Sequence, residues 1–191
     1  MNHPLKTHFE EITEPFTDEE FGYILGHYKE VKRKKHQLIV EPGELVHNDF
    51  WVIKGCLRSY FIDTDGKEHI IQFAMENWWI TDYNAYVNKT ASTIFIECIE
   101  DCELLSLTFG DHEKLCREFR KIEHFSRVKT KSGYVAQQKR ILSLLSNSAK
   151  ERYDQLTDQY PKLLQRVPKK MIASYLGVSR ETLSRLSPDL V

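Results

Sequence analysis

The stretch Val167-Pro168-Lys169-Lys170-Met171-Ile172-Ala173-Ser174-Tyr175-Leu176-Gly177-Val178-Ser179-Arg180-Glu181-Thr182-Leu183-Ser184-Arg185-Leu186 reads as two short helices joined by a tight turn. Ile172, Ala173 and Leu176 fall at i, i+1 and i+4, which gives the first helix one buried face. Gly177 follows at once, where a residue able to take positive φ ends a helix cheaply. Ser179 is placed to cap the second helix by accepting a bond from a free backbone N–H. Leu183 and Leu186 supply that helix with an inner stripe, and Arg180, Glu181, Ser184 and Arg185 face outward. Small Ala173 lets the two helices approach closely. The pattern is that of a helix-turn-helix, whose second helix enters the major groove of DNA.

The outward residues suit that role. Arg180 and Arg185 have the paired donors that match guanine O6 and N7, and Glu181 can accept from cytosine N4. Ser179 and Thr182, with the helix N-terminus behind them, suit a phosphate, and Ser184 is a further outward candidate for DNA contact. Lys169 and Lys170 open the first helix and are expected on the phosphate backbone. The plainer reading is a helical hairpin whose polar residues are simply solvated.

Charge separates the two readings. The formal net charge is −1, but residues 1–116 carry 11 basic and 21 acidic groups and residues 117–191 carry 16 and 7. An acidic front and a basic back imply different tasks, with any nucleic-acid contact at the back. Composition is that of an ordinary water-soluble chain, 41% hydrophobic and 29% charged. No apolar run approaches the roughly 18 residues that span a bilayer. Met1 to Phe16 is acidic and broken by Pro4 and Pro15, unlike a signal peptide. A cytoplasmic protein without a membrane partner is expected.

Ahead of the basic part, the hydrophobic period changes twice. Residues 8–30 are helix-like, interrupted by Pro15, with Thr17-Asp18-Glu19-Glu20 as a cap. The Lys32 to Lys35 run reads as a solvated face. From Gln37 the pattern becomes strand-like: Leu38 to Val40, Asp49 to Ile53, Leu57 to Ile62, Glu68 to Phe73, Thr93 to Cys98 and Glu103 to Leu107. Asp65-Gly66 marks a hairpin turn between the third and fourth of these. Short strands at such spacing predict an antiparallel roll or barrel. Residues 111–148 read as one long helix with Leu115, Phe119, Ile122, Phe125 and Val128 on an apolar side, resumed by Ile141, Leu144 and Leu145; Ser132-Gly133 weakens it midway. The expected class is α+β, with a β-roll over 1–110, a connecting helix over 111–148 and a helix-turn-helix unit over 149–191.

Gly177 to Leu186, with Trp51 to Arg58 and Asp65 to Glu68, resembles the Crp/Fnr superfamily of bacterial transcription regulators. The order of roll, helix and helix-turn-helix follows the same family over almost the whole chain. The resemblance implies base reading by Arg180, Glu181 and Arg185, a homodimer joined through residues 115–145 on a near-palindromic site in double-stranded DNA, and RNA polymerase as a further partner. Pro168 stands where relatives often carry a Ser or Thr cap. Ser187-Pro188-Asp189 is expected to break the second helix, so that the β-hairpin wing of many relatives is expected to be absent.

In nucleotide-binding relatives a short helix carries Gly-Glu and an Arg-Ser pair follows, the Glu on the ribose and the Arg on the cyclic phosphate. The matching positions here are Trp79-Ile80-Thr81-Asp82-Tyr83 and Ala91-Ser92-Thr93. Thr81 replaces the glycine, Asp82 shortens the glutamate, Ser92 stands where the arginine should be, and Lys89 is out of place. An anionic phosphate needs charge-assisted donors, with arginine the best fit. The expected effector is therefore unidentified and not cyclic AMP, its candidate pocket being Trp79, Asp82, Tyr83, Ser92 and Thr93. Trp78, Trp79, Tyr83 and Tyr86 read either as a lining for a flatter ligand or as core aromatics, the latter favoured.

Cys56, Cys98, Cys102 and Cys116 show neither CxxC nor zinc-finger spacing and read as buried thiols, with no metal expected. Some relatives hold iron–sulfur clusters on N-terminal cysteines, but no cysteine precedes Cys56. The eight histidines are scattered. Without a phosphate loop, a serine elbow or a metal-spaced His pair, an enzyme is not expected. A sensing or protein-binding module that no longer engages DNA is the remaining alternative.

Overall fold

The structure is a computed structural model in which residues 3–186 are described. Helices α1 (Pro4–Glu10) and α2 (Asp18–Leu25) come first. Thr17 caps α2 through the reciprocal bonds of a capping box with Glu20. Strands β1 (Lys29–Arg33), β2 (Leu38–Val40), β3 (Asn48–Lys54), β4 (Leu57–Ile62), β5 (Glu68–Ala74) and β6 (Trp79–Ile80) follow, then helix α3 (Tyr83–Asn88), β7 (Phe95–Cys98) and β8 (Cys102–Thr108). They form two four-stranded sheets in the orders β1-β8-β3-β6 and β2-β7-β4-β5.

Alternation along the strands sorts the side chains into two cores. Phe50, Val52, Ile80 and Leu104 from the first sheet meet Val40, Leu57, Ala74, Ile96 and Cys98 from the second inside the roll. Trp51, Leu105 and Leu107 point the other way and are covered by Leu5, Phe9, Phe16, Phe21 and Ile24 of the N-terminal segment. The hairpin expected at Asp65-Gly66 is present. Gly66 takes φ +78, and the Asp63 carboxylate accepts from the N–H groups of Asp65 and Lys67. The α+β class and the antiparallel roll are as the sequence pattern predicts.

The first half of the charged run, Lys32 and Arg33, lies in a strand, and Lys34 and Lys35 follow it. Lys29 to Arg33 is an edge strand paired with β8, its side chains mostly exposed. Charged side chains on an edge protect it from pairing with other chains. The long helix expected over 111–148 is two helices, α4 (Phe109–Glu118) and α5 (Arg120–Ser146). Phe119 breaks them by adopting extended backbone, φ −124 and ψ 104, while its ring packs against the N-terminal cluster. Ser132-Gly133 causes no break, since α5 runs through it.

The apolar side expected to face a second subunit divides in the same way. Leu115, Ile122 and Phe125 are at most 2% exposed and belong to the cluster with Leu5, Phe9 and Trp51. They are core residues of their own chain and are unavailable to a partner. Further along α5, Tyr134, Val135, Ile141, Leu142, Leu144 and Leu145 are all exposed, Leu145 at 79%.

The chain resolves into two compact units, one of residues 1–59 with 73–132, the other of residues 60–72 with those from 133 onward. The second contains the end of α5 and helices α6 (Ala149–Gln159), α7 (Pro161–Arg166), α8 (Lys169–Leu176) and α9 (Arg180–Leu186). Residues 187–189, where a helix break was expected, lie outside the described residues.

Candidate nucleic-acid interface

The helix-turn-helix is assembled by the residues that announce it. Ile172, Ala173, Leu176 and Leu183 are buried at 3% exposure or less, which fixes α8 against α9. Gly177 takes φ +67, and its N–H and that of Val178 close the end of α8 on the carbonyls of Ser174 and Ala173. The Ser179 hydroxyl accepts from the N–H of Thr182 at 3.1 Å and so caps α9. Pro168 makes no side-chain cap at the start of α8.

Two arginines satisfy the remaining carbonyls of α8. Arg152 donates to Leu176 O at 2.9 Å and to Asn147 O at 2.6 Å. Arg140 donates to Tyr175 O and Ile70 O, both at 3.0 Å, and its guanidinium stacks 3.6 Å over the Tyr175 ring. Burial lowers the Arg140 pKa from its usual value, but a guanidinium remains charged in any working solution.

On this scaffold Arg180, Glu181, Ser184 and Arg185 line one open concavity on the outer side of α9. Hydrogen bonds from its own backbone N–H and from the Ser179 hydroxyl hold the Glu181 carboxyl below its usual range. Arg180, Glu181, Ser184 and Arg185 are exposed, as are Ser179 and Lys170; Thr182 and Lys169 are half-buried. Fully charged, solvated groups converge on one helix face, as base-edge recognition requires.

The five candidate pocket residues do not converge in the same way. Asp82 is buried and caps α3 by accepting from Ala85 N at 3.1 Å. Its other oxygen accepts from the Ser92 hydroxyl at 2.8 Å and lies 3.4 Å from Thr93 N. Trp79 instead packs against the N-terminal cluster, 6.4 Å from the Tyr28 ring. Tyr83 is half exposed and turns its hydroxyl to Asp49, 3.3 Å away. Tyr86 is core, and Trp78 packs on that core.

Asp49 is a group that the sequence pattern did not single out. Burial pushes its carboxyl up to about 7, against the Phe50 N–H that favours the charged form. Its place next to a hydrophobic β3 run gave no local signal of the tyrosines around it. Among the described residues, no cluster of three or more His, Cys, Asp or Glu side chains is arranged to hold a metal. None of the described helices is long and apolar enough to cross a membrane.

The chain order is a two-sheet roll, then a helical link, then a helix-turn-helix. Residues 30–119 match the cyclic nucleotide-binding domain family. The cAMP-activated global transcriptional regulator CRP of Pasteurella multocida is 21% identical over 187 residues, 91% of this chain and 88% of the relative. Among solved structures, the c-di-GMP responsive global regulator CLP of Xanthomonas campestris superposes with a TM-score of 0.72 at 15% identity, over 91% of both chains. FixK2 from Bradyrhizobium japonicum gives 0.70 at 20% identity, over 85% of this chain and 84% of its own. The chain is thus similar to the cyclic nucleotide-binding domain family over residues 30–119 and shares its fold with these regulators.

Proposed function

We propose that this chain is a cytoplasmic, non-enzymatic transcription regulator that binds a near-palindromic operator as a homodimer. The observation that carries the reading is the face of α9, where Arg180, Glu181, Ser184 and Arg185 stand exposed on a helix fixed by Gly177 and Ser179. Lys169 and Lys170 serve the phosphate backbone, and Ser179, Thr182 and Ser184 complete the contact. The basic excess of residues 117–191 supports the same reading. The organisation proposed with it is a sensor over 1–110, a connecting segment over 111–148 and a reader over 149–191.

The dimer seam is proposed on the distal part of α5. Tyr134 and Ile141, and Val135 and Leu142, each repeat at seven residues, the spacing of a paired-helix seam, and all four are exposed. A twofold pair would present two reading helices about 34 Å apart, one for each successive major groove. RNA polymerase is the further partner that this role entails.

The effector is proposed to be something other than cyclic AMP. Asp82, Ser92 and Thr93 already bond to each other, and Asp82 brings a negative charge where a cyclic phosphate would sit. Selection of genomic fragments by the purified protein tests the proposal. Enrichment of one near-palindromic sequence, with affinity falling steeply as salt rises, is the expected result. Failure to retain any DNA at low salt would favour a module that has lost its DNA-binding role.

A further inference from the structure

The two arginines behind α8 come from different helices. Arg152 lies on α6, whereas Arg140 lies on the distal part of α5, immediately before the exposed Ile141. Successive helix positions are turned by about 100°. Adjacent faces of α5 therefore carry the proposed seam and the contact with α8.

Arg140 joins α5 to two other segments. Its Nη2 donates both to Tyr175 O in α8 and to Ile70 O in β5, at 3.0 Å each, and the guanidinium lies 3.6 Å over the Tyr175 ring. The same turn of α8 reaches β5 a second time. The Ser174 hydroxyl donates to Glu68 O at 2.8 Å and accepts from Ile70 N at 3.1 Å. Strand β5 is an edge of its sheet, and these are groups that a neighbouring strand would otherwise take. Gly177 also faces α5, since a Cβ there would stand 3.5 Å from Leu144 Cδ2. All of these residues belong to the second compact unit. Helix α8 is thus bound to α5 directly, and not only through the chain that joins them.

The contact suits a guanidinium. Peptide dipoles leave the last carbonyls of a helix partly negative, and Tyr175 O is among the last of α8. A planar cation can donate to such a carbonyl in its own plane while its face covers a ring. An ammonium supplies the charge without the stacked plane.

We propose that Arg140 is a positioning residue that sets the half-site spacing the dimer accepts, acting through α8 without touching DNA. The inference rests on the dimeric operator reading above. Two reading helices meet successive major grooves only while each keeps its distance from the seam. One base pair more or less between the half-sites moves each reading helix by roughly 1.7 Å along the duplex, half the rise of a base pair, and turns it by about 17°. A shift of that size at α8 carries Tyr175 O beyond hydrogen-bond reach of Arg140 and slides the ring from under it. Operators of altered spacing are therefore refused as long as these contacts hold.

A spacing series tests this. The sequence enriched from genomic fragments, the same half-sites with one base pair inserted or removed between them, and an isolated half-site are each titrated with the full chain. The wild type should prefer the enriched spacing over either altered one by about tenfold or more. Arg140→Lys should keep dimeric sedimentation and the wild-type affinity for the isolated half-site, while that preference shrinks to about threefold or less. Tyr175→Leu removes the stacked ring and leaves the carbonyl. It should change the profile in the same direction, and it decides the matter if Arg140→Lys does not fold. A spacing preference unchanged in both variants would overturn the proposal. Equal losses on the half-site and on every spacing would overturn it too, since they mark a residue needed only for folding. A wild type that retains no DNA, or binds without any preference for spacing, instead removes the dimeric operator reading and this inference with it.

Discussion

The Ser92 hydroxyl donates to the Asp82 carboxylate at 2.8 Å, and both side chains are buried. This bond joins the start of α3 to the segment that precedes β7. It spends, inside the protein, donors that could otherwise meet an anionic ligand. A cyclic phosphate entering here would meet a carboxylate and neutral hydroxyls. Stripping the phosphate of water costs several kcal/mol unless a cation and hydrogen bonds replace that water. Calorimetry with cyclic AMP and cyclic GMP is therefore expected to show no binding in the low micromolar range. A dissociation constant there, lost in Ser92→Ala, would reverse the assignment.

On the reading face, replacing Arg180 or Arg185 by Ala should cost about 1–3 kcal/mol on the preferred site and relax preference at one base position. Lys170→Ala should weaken all sites alike and reduce the slope of affinity against salt. Lys169 is half-buried, so its replacement should combine that loss with a small drop in melting temperature. Titrations on the selected operator and on a scrambled duplex distinguish these outcomes. Equal, sequence-independent losses from all four changes would remove the arginines as base readers.

Asp49 gives the chain a pH dependence with a definite sign. Burial raises its folded carboxyl to about 7 from the ordinary value of 3.8. Between those values the folded state holds a proton that the unfolded chain has released. Stability from this group is thus fully present below about 4 and is lost as pH rises through about 7. The carboxyl is only partly shielded, so the loss is discounted to roughly 1–3 kcal/mol. Asp49→Asn should raise the melting temperature at pH 8 and leave it nearly unchanged at pH 4. A variant destabilised equally at both would show that the carboxyl has another role.

How much of this was legible in the chain depends on how local the cause is. Gly177, Ser179 and Leu183 act within one turn of themselves, and the helix-turn-helix follows from them alone. Asp65-Gly66 likewise sets its own hairpin. Strand β1 was not legible, because Lys29 to Arg33 is held by the backbone of β8 and only Val31 is even half-buried. Two-residue β6 was too short to show a period. The break at Phe119 was hidden because Leu115, Phe119 and Ile122 keep a helical spacing across it. The surroundings of Asp49 arise from neighbours, Tyr83 among them, that only the fold brings together.

The seam of the dimer is where periodicity was least able to help. Leu115, Ile122 and Phe125 have the same spacing that a partner-facing stripe would have, but spacing does not say what covers the stripe. Here Phe9 does, its ring 4.7 Å from that of Phe125 at an edge-on angle. Ile122→Asp should therefore bury an unpaired charge in the subunit's own core, lowering the melting temperature sharply before any question of assembly arises. Leu145 is 79% exposed and Ile141 57% exposed, so an Asp at either costs the lone subunit little. Across a paired seam the same charge would face apolar side chains and its own copy in the partner, which repels it. Sedimentation should find the wild type as a dimer and Ile141→Asp or Leu145→Asp as a folded monomer with weakened operator binding. A wild type that sediments as a monomer both free and on DNA removes the seam altogether.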